Sequence, residues 1–270
     1  MKRIIVATDF SAEADNALQY AAAAAAEQQY ELILFHLHNM SIHAMNARIS
    51  GEALYELITV KSNQLNETAT LISSAYKIPV VPHFATGNFF EELNRCIESF
   101  SADLIVLGMA GKYLEQDLLG DTTTTAIHRL KTPILAVPLQ AKYKGIKNIL
   151  FAADIVRGVQ KHILDQVKTV AADFGSTVEV FHVREKIDEL ISTSAETEKI
   201  SEVMSGISYY HKNIESRKVI DAIREEIVQS NADLLVMVPY KYGFWNSLVH
   251  RSKTRMMASG NNVPLLSIPV

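Results

Sequence analysis

Cysteine is almost absent: Cys96 is the single one in 270 residues. No internal disulfide can form, which fits a reducing compartment. Long apolar runs are missing as well. The longest, Tyr20 to Ala26, is far below the ~20 residues that cross a bilayer. Met1-Lys2-Arg3 leads straight into a strand-like run, without the apolar core or cleavage site of a signal peptide. A cytoplasmic protein is therefore expected, with no membrane association. Charge of one sign is not in excess. The net charge of −4 offers no electrostatic basis for binding nucleic acid or an anionic membrane surface. The sequence also has no GxxxxGK[ST] loop, no GxSxG elbow and no HExxH helix, so it contains none of the recognised catalytic constellations.

What the chain does contain is itself, twice. Lys2 to Ser11 (KRIIVATDFS) is echoed by Lys147 to Val156 (KNILFAADIV), with Asp9 and Asp154 in the same place. Leu34-Phe35-His36 is echoed by Val180-Phe181-His182, Ala102 to Leu107 by Ala232 to Met237, and Thr132 to Pro138 by Val263 to Pro269. Four echoes in the same order, at a period too long for a solenoid, imply two whole domains. They are read as residues 1–140 and 141–270, joined by the short polar stretch Gln140 to Ile146.

Within each unit, short apolar runs alternate with helical patterns. Ile4 to Ala7, Leu32 to Leu37, Leu104 to Leu107 and Ile134 to Val137 look like strands buried on both faces of a parallel sheet. Ser11 can cap a helix running through Glu27. Further helices are expected over Gly51 to Tyr76, Asn88 to Phe100 and Asp121 to Leu130, the last capped by Asp121 or Thr122, and in the second unit over Lys186 to Tyr210. The expected fold is α/β: two tandem doubly wound domains, each a mainly parallel five-stranded sheet with helices on both faces.

Open sheets of this kind bind ligands beyond the carboxyl ends of their strands. Thr8-Asp9, Leu37-His38 and Gly108-Met-Ala-Gly111 all follow strands there. Glycines at such ends let backbone amides approach a phosphate closely. Gly120 precedes a helix start made of Asp121, Thr122, Thr123, Thr124 and Thr125, a ready anion site.

Gly108-x-x-Gly111, Gly120 before a Thr-rich helix, Thr132 to Pro138 and the opening Val6 to Ser11 together resemble the universal stress protein family, twice over along the chain. That resemblance implies a stress-response protein that binds ATP or a related adenine nucleotide in its first domain. The implied contacts are Ala7, Thr8, Asp9, Leu37, Leu107, Gly108, Gly111, Gly120, Asp121, Thr122 and Thr123, with Mg²⁺ at Asp121. The family pattern is G-x2-G-x9-G-[ST]. Here eight residues separate Gly111 from Gly120, and Asp121 stands where Ser or Thr is usual. Valine at Gly108 or Gly111 is expected to abolish binding and leave the fold intact. The alternatives are an interaction scaffold without nucleotide, its terminal strands near Ile134 and Leu265 pairing as in the homodimer of single-domain relatives, and a slow ATPase. Protein partners and a homodimer are open on either reading.

The second domain has Pro239 at the first glycine's place, Gly243 isolated, and Tyr240, Tyr242, Phe244 and Trp245 in the loop. These aromatics read as cover for an old cleft or as packing. His250, Arg251, Lys253 and Arg255 read as a solvated helix face ahead of an anion site. His36 and His38 share a strand face but lack further ligands at metal spacing. Cys96 reads as an inert buried thiol.

Overall fold

The computed structural model describes residues 1–38, 51–109, 120–155, 158–184, 193–239 and 263–270. The chain divides into two compact units, Met1–Gly108 and Met109–Val270.

In the first unit, four parallel strands, β1 (Arg3–Ala7), β2 (Glu31–His38), β3 (Val80–Thr86) and β4 (Leu104–Met109), lie in the order β3-β2-β1-β4. Helices α1 (Ala12–Gln28), α2 (Gly51–Tyr76) and α3 (Phe89–Phe100) connect them. The chain steps from β1 to β3 in one direction, then returns past β1 to lay down β4. Right-handed crossovers therefore put α1 and α2 on one face and α3 on the other. The apolar runs are the core: Ile5, Val6, Ile33, Leu34, Phe35, Ile105 and Val106 are all buried. Helix starts follow from local chemistry. The Ser11 hydroxyl accepts the Ala14 amide, and the Asn88 side chain accepts those of Phe90 and Glu91, so each cap satisfies amides that have no partner within the helix.

The second unit holds α4 (Gly120–Arg129), β5 (Ile134–Pro138), β6 (Asn148–Ala152), α5 (Lys161–Phe174), β7 (Thr177–Arg184), α6 (Thr193–Val203), β8 (Ser208–Glu215), α7 (Val219–Gln229), β9 (Leu234–Met237) and β10 (Leu265–Ser267). Its strand order is β5-β10-β9-β6-β7-β8. The pairs β10·β9, β9·β6, β6·β7 and β7·β8 are parallel. β5 pairs antiparallel with β10, with Leu135 opposite Leu266. This is the terminal-strand pairing expected near Ile134 and Leu265. It joins the last strand of one repeat to the last strand of the other, so the compact second unit begins ahead of β5.

Two expectations need correction. The helix expected over Lys186 to Tyr210 is confined, among the described residues, to α6; Gly206 turns the chain at φ +89° and Ser208–Tyr210 open β8. The Ser-, Thr- and Glu-rich composition ahead of it hid a half-buried edge strand, whose sequence carries few apolar residues to mark its packed face. Helix α4 starts at Gly120, so Asp121 and Thr122 lie inside its first turn.

The structure also gives the Ala-Asp echo a physical cause. Asp103 accepts the Arg3 amide at 2.9 Å, and Asp233 accepts the amides of Lys147 and Asn148 at 2.8 and 2.9 Å. In both repeats one carboxylate holds the open start of the first strand beside the last-but-one strand. Asp233→Ala is expected to lower stability by about 1–2 kcal/mol, since charge-assisted bonds are lost but the Lys147 amide regains water. Urea denaturation measures this; a loss below about 0.3 kcal/mol would remove the clamp.

Candidate functional site

Strand order reverses between β1 and β4, where Val6 lies beside Val106. The crevice beyond their carboxyl ends is where such sheets take ligands. Two segments of the first unit frame it: the turn Thr8–Ser11 and the end of β4.

The turn is tightly specified. The Thr8 amide donates to the Phe35 carbonyl at 2.8 Å, and the Thr8 hydroxyl accepts the Phe10 amide at 3.0 Å. The Thr8 carbonyl accepts Nδ1–H of His36 at 2.7 Å. A carbonyl can only accept, so the neutral ring carries its proton on Nδ1. The second repeat copies the arrangement. The Ala153 amide donates to the Phe181 carbonyl at 2.9 Å, and His182 Nδ1 donates to the Ala153 carbonyl at 3.0 Å. The Leu-Phe-His and Val-Phe-His echoes are thus the sequence trace of a latch that fixes the end of the first strand.

Phe10 sits at φ +63°, a left-handed conformation that costs a bulky residue about 1–2 kcal/mol. Its ring offsets part of that by packing 4.7 Å from His36, with Lys61 Nζ 5.1 Å from its centroid. His36 and His38 both contact Phe84, at 5.6 and 6.3 Å, as their common strand face requires. Burial pushes the His36 imidazole below its ordinary value, and Lys61 and His38 push the same way. The bond to Thr8 and the charge of Asp9 oppose them. Asp9 itself is exposed, and its Oδ1 accepts the Ser11 amide at 3.0 Å. Partial desolvation would raise its carboxyl, but the Ser11 hydroxyl and amide outweigh it and hold the group below the ordinary carboxylate range.

Gly108 lies within β4 without a positive φ. A Cβ there would stand 2.5 Å from the Glu13 carbonyl oxygen and 2.9 Å from the Ala14 nitrogen. The glycine is needed because the first turn of α1 rests directly on the strand, the close helix–strand approach that glycine alone permits. This corrects the expectation that Gly108→Val would leave the fold intact.

The other expected contacts divide. Thr8 and Leu107 are buried at 6% and 4% exposure, and all three polar groups of Thr8 are already engaged, by Phe35, Phe10 and His36. Ala7 and Leu37, at the ends of β1 and β2, are partly exposed. In α4, Thr122 is exposed and Thr123 buried. Gly111, the aromatic loop at Tyr240, Tyr242, Phe244 and Trp245, and the basic cluster from His250 to Arg255 lie outside the described residues, as does the side chain of Asp121. Among the described residues no group of three His, Cys, Asp or Glu could hold a metal ion, and no helix is long and apolar enough to cross a membrane. Cys96 is fully buried and its thiol is pushed up to about 12 by desolvation, as an inert core cysteine requires. Sequence reasoning missed Phe10 and Lys61. Nothing local marks a left-handed phenylalanine or the lysine that comes to lie over it from α2.

The family model for the universal stress protein family matches residues 1–138. No curated protein sequence matches the chain. A universal stress protein from Archaeoglobus fulgidus is similar over 99% of this chain and 98% of its own, at 19% identity and a TM-score of 0.75. A functionally unknown protein from Pseudomonas aeruginosa is similar over 100% of this chain and 92% of its own, at 14% identity and a TM-score of 0.59. At these identities the likeness is one of fold.

Proposed function

The chain belongs to the universal stress protein family, and from that premise we propose that its first repeat, residues 1–140, binds ATP or a related adenine nucleotide and acts as a nucleotide-responsive module in a stress response. The observation that supports this most is Asp9, an exposed carboxylate fixed by Ser11 just beyond β1 at the strand-order reversal, on the side of the partly exposed end of β2. In this reading Asp9 and the backbone near Leu37 and Ala7 take the adenosine. Thr8, Leu107 and Gly108 shape the frame from within. The family pattern assigns the phosphate end to Gly111, Gly120 and the start of α4. There Thr122 takes the hydroxyl role, because Thr123 is buried. A Mg²⁺ ion bridging Asp121 to the phosphates would relieve the repulsion between them. A bound nucleotide would act by favouring one conformation of the segment from Gly108 to Thr125.

Calorimetric titration with ATP, with and without Mg²⁺, tests this. Asp9→Asn is the probe: it keeps an acceptor for the Ser11 amide but removes the charge. The expected result is one site per chain, weakened about tenfold or more in Asp9→Asn. Equal affinity in the variant would take Asp9 out of the site. No heat and no thermal stabilisation at millimolar ATP would leave an interaction scaffold as the function.

A further inference from the structure

The two repeats differ sharply at one set of equivalent positions, buried on the second strand and the third helix of each repeat and more open on the edge strand. In the first, Ile33 on β2 lies beside Ile5 and Val81, Phe35 lies beside His83, and Cys96 on α3 is fully buried. In the second, Glu179 takes the place of Ile33, Tyr210 of Val81 and Lys212 of His83. Glu226 on α7 takes the place of Cys96, counting from the Ala-Asp-Leu echo. Glu179 is 3% and Glu226 4% exposed. The fold does not need charges here, since the first repeat does without them, and burying two carboxyls is costly unless every oxygen is satisfied.

The hydrogen-bond inventory is one proton short. Tyr210 donates to Glu179 Oε2 at 3.0 Å, and Lys212 Nζ pairs with Glu226 Oε2 at 2.5 Å. Glu179 Oε1 is buried with no donor, while the Glu226 carboxyl lies within hydrogen-bonding reach of Glu179. Two carboxylates cannot bond to each other, but a carboxylic acid can donate to a carboxylate. Beside Glu179, β6 offers only Leu150. The titratable groups that face it are Glu226 from α7 and Tyr210 and Lys212 from β8. Tyr210 is pushed up to about 12, by burial first and by Glu179 second, so it is not the source of a proton near neutrality.

We infer that Glu179 and Glu226 share one proton, which ties the edge strand β8 and helix α7 to β7, and that losing this proton loosens that edge of the second repeat. Burial is the main force raising the Glu179 carboxyl, with Glu226 adding to it. A carboxyl raised in the folded state stabilises the fold fully below its unfolded value. That stability is lost as pH rises towards the folded value. The device is therefore closed at lower pH and opens as pH rises.

Glu179→Gln tests this, because its amide accepts from Tyr210 and donates to Glu226 at every pH. Urea denaturation of the whole chain at stepped pH should show the unaltered protein's folding constant falling by up to about tenfold per pH unit above the carboxylate range, a fall that Glu179→Gln lacks. Hydrogen exchange in β8 and α7, corrected for intrinsic rates, should accelerate over the same range only in the unaltered protein. Infrared spectra taken as pH rises above the ordinary carboxylate range should carry a buried carboxylic-acid carbonyl band that outlasts those of the exposed carboxyls and is absent from Glu179→Gln. Should Glu179→Gln fold poorly, Glu179→Ile, the residue of the first repeat, replaces it, and the infrared band of the unaltered protein stands alone as a test. No acid band, or the same pH slope with and without Glu179, would overturn the inference.

Discussion

Gly108→Ala is expected to cost roughly 3 kcal/mol of stability and Gly108→Val more, at the upper end of overpacking effects. The added Cβ would meet backbone, the Glu13 carbonyl at 2.5 Å and the Ala14 nitrogen at 2.9 Å, and no rotamer change relieves a contact with backbone. Either the first turn of α1 lifts from the sheet or β4 shifts. Both moves displace the Ser11 cap and the Asp9 turn that precede the helix. The check is a drop in the urea midpoint at unchanged m-value; a loss under about 0.5 kcal/mol would mean that α1 yields easily. The functional consequence is direct. Loss of nucleotide binding in Gly108→Val would report a displaced helix and not a lost ligand contact, which is why the binding test rests on Asp9→Asn.

How much of this was legible in the sequence depends on the range over which each feature is decided. The strand runs, the Ser11 cap and the bounds of α2 are local, set by periodicity and side-chain chemistry within a few residues, and the sequence reading found them. The pairing of β5 with β10 came from the resemblance, through the homodimer of single-domain relatives that a tandem chain can mimic. The reason for Gly108 was not legible. The sequence reading took the glycine for a backbone close to phosphate, whereas its neighbour is helix α1, which sits nearly a hundred positions earlier in the chain. The histidine latch lay in plain view as an echo of three residues, but an echo shows that a position recurs without showing what it bonds to. Glu179 was hidden by its own chemistry. A glutamate in a strand reads as solvent-facing, and only the register with β8 and the approach of α7 reveal that it is buried.

Lys212→Met should expose that buried chemistry most plainly. Lys212 is the cation paired with Glu226 and adjoins the Glu179–Glu226 pair, and the side chains of Lys212 and Glu226 are 37% and 5% exposed. Removing one partner of a buried pair typically costs about 3–5 kcal/mol. The ammonium's partial exposure reduces this to roughly 2–3 kcal/mol near neutral pH, because water already screens its outer side. The cost should depend on pH with a definite sign. Without the lysine, which holds the Glu179 carboxyl down, that carboxyl's folded-state proton affinity rises further above its unfolded level. The penalty is therefore complete at high pH and shrinks as pH falls into the range where carboxyls are protonated in the unfolded chain too. There the variant should match the unaltered protein, since methionine keeps most of the packing of the lysine stem. A deficit that stayed constant from acid to neutral pH would mean that Lys212 acts through its packing and not through its charge. In Lys212→Met combined with Glu179→Gln, most of the deficit should remain, because the amide restores no cation beside the buried Glu226.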